Sequence, residues 1–326
     1  MKTIHISHPH TTHPHTLNQK DQDPSVMALG YFDGVHLGHQ KVIDAAKSIA
    51  RKEGLALAVM TFHPHPSHVL QKAREPKDLI TPLEDKIDFI EQLGADYLYI
   101  VQFSESFAAL SPQEFVDQYL DELNVKHAVA GFDFTFGRFG AGTMETFDEY
   151  GKGRITATIV PKLSNQDRKV SSTLIRSALK NGDVEYVSEL LGKPYQLRGI
   201  VIHGDKRGRT IGFPTANVGL SAEYIIPPTG VYAVKAEVKG KVYDGVCNVG
   251  YKPTFYEKRP DQPAIEVNLF GFNEEIYGEP IKLQWFKRIR SEQKFNGIQE
   301  LTAQISQDKE EAIQFFQHQR KQTKNS

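Results

Sequence analysis

His36 and His39 are three residues apart, so on the first turn of a helix they share one face. They close the stretch Ala28-Leu-Gly-Tyr-Phe-Asp-Gly-Val-His-Leu-Gly-His39. A helix N-terminus attracts anions through its free N–H groups and its macrodipole. Two imidazoles placed there make a compact site for a polyphosphate. Gly30 and Gly34 bracket Tyr31, Phe32 and Asp33 and allow a tight turn that brings backbone close to a ligand.

Further groups have the same flavour. In Val170-Ser-Ser-Thr-Leu-Ile-Arg176, Ser171 or Ser172 can cap a helix, and Arg176 one turn later can clamp a triphosphate bidentately. In Gly199-Ile-Val-Ile-His-Gly-Asp-Lys-Arg-Gly-Arg-Thr-Ile-Gly-Phe-Pro-Thr-Ala-Asn217, glycines 204, 208 and 212 expose N–H groups between Lys206, Arg207 and Arg209. Such a loop can cradle phosphates as a backbone nest, although it lacks the GxxxxGK[ST] pattern of a Walker A loop. Thr215 and Asn217 are two apart and face the same way on a strand, where their oxygens can hold Mg²⁺. Glu266, in Ala-Ile-Glu-Val-Asn, alternates with apolar residues; pointed into a cavity, it can take a proton from a substrate hydroxyl.

These residues need a scaffold. Val26–Leu29 is an apolar run of the kind that forms a strand buried on both faces. Helical spacing follows over 41–50, and further strands are expected at Leu55–Phe62, Tyr97–Phe103, Ala128–Gly131 and Ile155–Val160. Helices are expected between them at Thr81–Leu93, with Pro82 in its first turn, and at Pro112–Leu123, capped by Ser111. Strands alternating with helices predict a doubly wound, mostly parallel α/β sheet. Ligands bind such sheets beyond the carboxyl ends of the strands. Phe62 and His65, in Phe62-His-Pro-His-Pro66, and the aromatic loop Gly131-Phe-Asp-Phe-Thr-Phe-Gly-Arg-Phe-Gly140, with Phe132, Asp133 and Phe136, are therefore candidates to hold a planar ring.

After Tyr195 the texture changes. Leu197–His203, Val231–Val238, Lys241–Gly250, Ile265–Phe270 and Pro280–Ile289 are strand-length runs separated by turns. They predict a small antiparallel barrel or sandwich. An amphipathic helix through Ile298, Leu301, Ile305, Ala312 and Phe316 should cover it, with a frayed polar end from Gln317.

The 326 residues fit two domains. A net charge of −1 argues against a dedicated nucleic-acid binder. The charge is uneven: residues 1–190 hold 19 Lys+Arg and 25 Asp+Glu, giving −6, and residues 191–326 hold 20 and 15, giving +5. One cysteine, Cys247, fits a reducing compartment. No apolar leader and no run of ~20 apolar residues is seen, so the cytoplasm is the expected location and no membrane partner is expected. The N-terminal histidines 5, 8, 10, 13 and 15 read as a solvated edge segment rather than a metal site. The sequence leaves oligomeric state open.

The His-x-Gly-His turn paired with Ser-Ser-Thr-x-Ile-Arg resembles the FMN adenylyltransferase module of bacterial FAD synthetases. Gly-Asp-Lys-Arg-Gly-Arg-Thr with Gly-Phe-Pro-Thr-Ala-Asn is similar to the riboflavin kinase family. Together they are identified as the pattern of a bifunctional riboflavin kinase/FAD synthetase, covering roughly residues 20–310. The resemblance implies an adenylyltransferase domain at 1–185 and a kinase domain at 186–326, acting on riboflavin, FMN, FAD and ATP with Mg²⁺. In the first domain it implies that ATP meets Gly30, Phe32, Asp33, Gly34, His36, His39, Ser172 and Arg176. Flavin would meet Phe62, His65, Phe132, Asp133 and Phe136. In the second it implies ATP contacts from Gly204, Lys206, Gly208, Thr210, Thr215 and Asn217, with Thr215 and Asn217 on the metal. Glu266 would be the base, and Arg290 and Phe295 would lie by the flavin. Asp133 stands where some members have Asn, and Lys169 rather than Arg lies two residues before Ser171. The alternative is a kinase beside an inactive nucleotide fold. A flavin carrier is disfavoured, because it needs neither phosphate motif.

Overall fold

The computed structural model describes residues 1–8, 23–70, 79–165, 168–204, 207–251 and 262–324. They form two compact units, Met1–Ser172 and Thr173–Ser326. The first unit opens with β1 (Lys2–Ile6), β2 (Ser25–Leu29), α1 (Leu37–Glu53), β3 (Ala56–His63), α2 (Pro66–Val69), α3 (Leu83–Gln92) and β4 (Tyr97–Gln102). It continues with α4 (Glu105–Ala108), α5 (Pro112–Val116), β5 (Val125–Gly131), β6 (Thr135–Phe136), β7 (Gly142–Thr143), α6 (Phe147–Gly151), β8 (Thr156–Val160), β9 (Ser164–Asn165) and β10 (Arg168–Lys169).

Six strands form one parallel sheet in the order β1-β4-β3-β2-β5-β8. The apolar run of β2 makes it central: Val26 and Ala28 enter one core with Val42, Ile43 and Ala46 of α1. Met27 and Leu29 enter the other core, with Tyr99, Phe115 and Tyr119. β2 has β3 on one side and β5 on the other, so the strand order reverses there. A ligand crevice opens at such a point.

Several expectations shift. Residues 2–6 are an edge strand paired with β4, not merely solvated; Ile4 and Ile6 supply the apolar alternation among the histidines. His10, His13 and His15 lie outside the described residues. α1 is longer than its apolar pattern, because His36 caps it and Gly54 closes it in a left-handed conformation at φ 67°. Pro82 is the cap residue of α3 rather than part of its first turn. Ser111 and Glu114 form a capping box on α5, which runs into a π-helical turn over Asp117–Asp121.

In the second unit, α7 (Ser172–Asn181) starts at the division and α8 (Val184–Leu191) follows. Then come β11 (Tyr195–Ile202), α9 (Arg207–Thr210), β12 (Ala216–Leu220), β13 (Gly230–Val238), β14 (Lys241–Gly250), β15 (Ala264–Leu269), β16 (Pro280–Ser291) and α10 (Ile298–Lys324). The six strands close into an antiparallel barrel, β11-β12-β15-β14-β13-β16. Ala312 and Phe316 of α10 pack on Val231, Ala233 and Val246, which marks that face as the barrel's outside. The alternate residues Tyr232, Cys247, Val267 and Trp285 therefore fill the interior, and all are fully buried. Burial pushes the Cys247 thiol well up, so it serves as packing. The polar tail is not frayed at Gln317: the helix continues to Lys324, and Arg320 pairs with Asp244 at 2.5 Å.

Candidate active sites

The turn after β2 carries the first site. Phe32 and Val35 both hold positive φ, at 51° and 42°, beside Gly34 at 90°. A β-branched residue in that region is strained, and such strain clusters at functional sites. The strain delivers two histidines in contact. The rings of His36 and His39 stack 3.6 Å apart at 14°. His36 Nδ1 accepts from the His39 backbone N–H at 3.2 Å, which leaves the proton of the neutral ring on Nε2. Burial lowers the His36 pKa to about 4, and burial with His36 alongside holds His39 well below its ordinary value. His39 Nδ1 is buried with no hydrogen-bond partner among the described residues. A buried polar atom without a partner costs about 1–3 kcal/mol, so this nitrogen marks the pair as a candidate ligand site.

The other motif residues divide into those at the pair and those that brace it. The Phe32 ring is buried and meets His39 edge-on at 5.3 Å. Gly30 must lack a side chain, since a Cβ there would lie 2.9 Å from that ring. Asp33 Oδ1 accepts from the N–H groups of Ile80 and Thr81 at 3.0 and 3.1 Å, tying the turn to the start of α3. Ser172 Oγ donates to the Asp33 carbonyl at 2.9 Å. Arg176 stands half-buried on α7, in the second unit.

Beside the turn lies an aromatic cavity of about 310 Å³. Phe62 and Phe136 line it, as expected from the sequence, but Phe132 is 45 % exposed and does not. The Lys169 Nζ lies 4.7 Å over the Phe132 ring and pairs with Asp133. His65 caps α2 and packs its ring on Tyr31 at 5.6 Å. Phe134 and Phe139, from the aromatic loop named as a whole, also line it; sequence reasoning missed Tyr31, Phe103 and Phe107 as cavity walls. Phe103 and Phe107 follow a parallel strand just as Phe132 does, so the same rule would have found them. It also missed Lys86, a buried lysine whose Nζ donates to the Tyr31 carbonyl at 2.8 Å.

The second site lies on the outer face of the barrel. Asn217 pairs with Glu266 across β12 and β15, and Glu266 pairs with Asn248 across β15 and β14. The three side chains thus form one polar row opposite in sense to the interior residues, so Glu266 faces outward and not into the barrel. A Cβ on Gly204 would lie 2.2 Å from Asn217 Nδ2, and one on Gly208 would lie 3.5 Å from Thr215 Oγ1. The glycine-rich loop is therefore folded onto Thr215 and Asn217. Asn268 Nδ2 donates to the Pro214 carbonyl at 2.7 Å and fixes the approach to Thr215. Asn248 was not foreseen; only strand register places it beside Glu266. Lys206 and the Thr210 side chain lie outside the described residues. Arg290 grips Asp308 of α10 through Nε at 2.8 Å and a terminal nitrogen at 2.7 Å, and its guanidinium lies 5.7 Å from the Phe295 ring. Among the described residues no helix is long and apolar enough to cross a membrane.

Comparison with known proteins matches both units. A family model described as FAD synthetase matches residues 18–174, and one described as riboflavin kinase matches residues 191–316. A bifunctional riboflavin kinase/FMN adenylyltransferase of Bacillus subtilis (strain 168) is 68% identical over 98% of this chain and 100% of its own. The like-named protein of Listeria monocytogenes is 49% identical over 97% of this chain and 98% of its own. A crystal structure described as a macrolide-efflux protein from Streptococcus pneumoniae superposes with a TM-score of 0.84 at 38% identity, covering 94% of this chain and 97% of that one.

Proposed function

This chain belongs to the bifunctional riboflavin kinase/FMN adenylyltransferase family, and from that membership we propose which of its groups carry each reaction. The enzyme phosphorylates riboflavin to FMN with ATP and then adenylylates FMN with a second ATP, giving FAD and pyrophosphate. Matches to both modules at full length support the bifunctional reading over a kinase with an inactive partner domain.

We assign adenylyl transfer to residues 1–185. An oxygen of the FMN phosphate bonds to the α-phosphorus of ATP, and the bond from that phosphorus to the bridging oxygen breaks. The nucleophile is already an anion, so the site needs charge stabilisation rather than a strong base. His36 offers its Nε2 proton to the phosphates, and His39 completes the pair. Phosphates raise the affinity of both rings for a proton, since an adjacent negative charge favours the charged form. Gly30, Gly34 and Asp33 shape the turn, and Ser172 and Arg176 keep their sequence-based assignment to phosphate binding. Phe62, Phe136 and Tyr31 hold the flavin ring; His65 supports Tyr31; Phe132 and Asp133 stand at the edge.

Kinase chemistry is assigned to residues 186–326. Glu266 takes the proton of the ribityl 5′-hydroxyl as that oxygen bonds to the γ-phosphorus and ADP leaves. Thr215 and Asn217 fit a magnesium ion: they offer neutral oxygens on one face, at a loop where Gly204 leaves no room for a side chain. When bound, the ion would neutralise phosphate charge and orient the γ-phosphate. Gly204, Lys206, Gly208 and Thr210 complete the ATP assignment, and Arg290, held by Asp308, sets Phe295 by the flavin. The near-neutral net charge and the single buried cysteine support a cytoplasmic enzyme without a nucleic-acid partner.

The stacked, buried His36–His39 pair, with an unsatisfied nitrogen at the carboxyl end of β2, carries the site assignment. Product chromatography tests it. Purified protein given riboflavin, ATP and Mg²⁺ should yield FAD, and His39→Ala should stop at FMN. A His39→Ala protein that makes FAD at the parental rate would remove the pair from the mechanism.

A further inference from the structure

Lys86 lies four residues into α3, near the positive end of that helix, and is 6 % exposed. Burial and the helix dipole both oppose an ammonium at that position. Its Nζ donates to the Tyr31 carbonyl at 2.8 Å and lies 3.3 Å from Thr61 Oγ1. Thr61 Oγ1 itself donates to the same carbonyl at 3.0 Å, so that oxygen keeps a partner without the lysine. The facing charged and titratable groups are Asp33 in the turn, His39 on α1 and His63 at the end of β3. Burial lowers the ammonium's pKa to about 8, against the pull of Asp33. The fold would be served as well by an apolar side chain, because replacing buried charge with well-packed apolar groups is often neutral or stabilising.

Tyr31 is the hinge between two features of the first site. Its ring walls the aromatic cavity, and its carbonyl opens the strained turn that ends at His36. Asp33 ties the same turn to Ile80 and Thr81 just before α3. We infer that Lys86 is a positioning residue for FMN adenylylation: by donating to the Tyr31 carbonyl it locks the cavity wall to the phosphate turn. The inference rests on the assignment of the cavity to flavin and the turn to ATP. It goes beyond that assignment in naming a residue that touches neither substrate yet sets their separation.

The test compares full-length wild type with Lys86→Met and Lys86→Gln, measuring FAD formation from FMN, FMN formation from riboflavin, and Tm. Glutamine keeps one donor for the carbonyl and no charge; methionine keeps neither. Lys86→Met should slow FAD formation on the order of 10²-fold, the cost of a misplacement of about 1 Å, with kinase activity unchanged and Tm not lowered. Lys86→Gln should recover most of that rate. A Lys86→Met protein as active as wild type overturns the inference, and so does a Lys86→Gln protein as slow as Lys86→Met. If Lys86→Met has a lowered Tm, rates are compared below its unfolding transition and set against its own kinase rate: a selective loss of FAD formation that Lys86→Gln recovers supports the inference, and an equal loss of both activities overturns it. Wild-type protein that makes no FAD from FMN would instead overturn the site assignment beneath it.

Discussion

The Lys169 ammonium is paired with the Asp133 carboxylate beside His36. These are the two positions at which the chain departs from one common form of its family's pattern. They lie 36 residues apart in sequence and depart together. Burial does most to lower the His36 pKa; of the pair, Lys169 lowers it further and Asp133 opposes that.

Asp133→Asn should therefore unmask Lys169 toward the polyphosphate. The KM for ATP in FAD formation should fall several-fold, while stability moves little, since an exposed pair is worth at most about 1 kcal/mol. Steady-state kinetics with FMN saturating reads the effect. An unchanged KM would mean that the pair does not face the nucleotide.

Glu266→Gln should lower the riboflavin kinase kcat by roughly 10²–10⁴-fold, the usual contribution of a general base. FAD formation from supplied FMN should persist, because Glu266 lies outside the residues assigned to adenylyl transfer. Joint loss of both activities in a folded variant would contradict two separate sites.

Acid should destabilise the first unit through its histidines. Burial gives His36 a folded pKa of about 4 against an ordinary 6.5; its charged neighbours are Lys169 and Asp133, and the titratable ring of His39 stacks on it. Below pH 6.5 the unfolded chain takes up a proton that the folded ring refuses. Stability from the neutral ring is thus present above 6.5 and is lost as pH falls toward 4, by about 3 kcal/mol for His36. Urea unfolding at stepped pH should show this slope, flattened in His36→Asn.

Arg290→Ala should destabilise the barrel by about 3–5 kcal/mol, because Asp308 is buried and would lose its bidentate partner. Arg290→Met combined with Asp308→Leu should restore most of that stability. The double variant should keep a raised KM for riboflavin, since Phe295 loses the guanidinium beside it. A normal KM would separate Arg290 from flavin binding altogether.

Much of this was legible in the residues alone, because the signals are local. The apolar run of β2, the glycines after it and the helical spacing beyond His36 all act within a few residues. They fix a strand, a turn and a helix start with both imidazoles on one face. The two-residue spacing of Thr215 and Asn217 likewise predicts a shared face, although β12 begins only at Ala216. Tertiary structure decided which polar atoms meet. The resemblance places Asp33 among the ATP contacts, yet its carboxylate accepts from the N–H groups of Ile80 and Thr81. Glu266 gains Asn217 and Asn248 as neighbours only through the register of three strands. Lys86, Phe103 and Phe107 reach the first site from α3, the end of β4 and α4, and no local pattern encodes where these pack. Hydrophobic period and turn chemistry are properties of a short segment; a hydrogen bond or cavity wall depends on where distant segments pack.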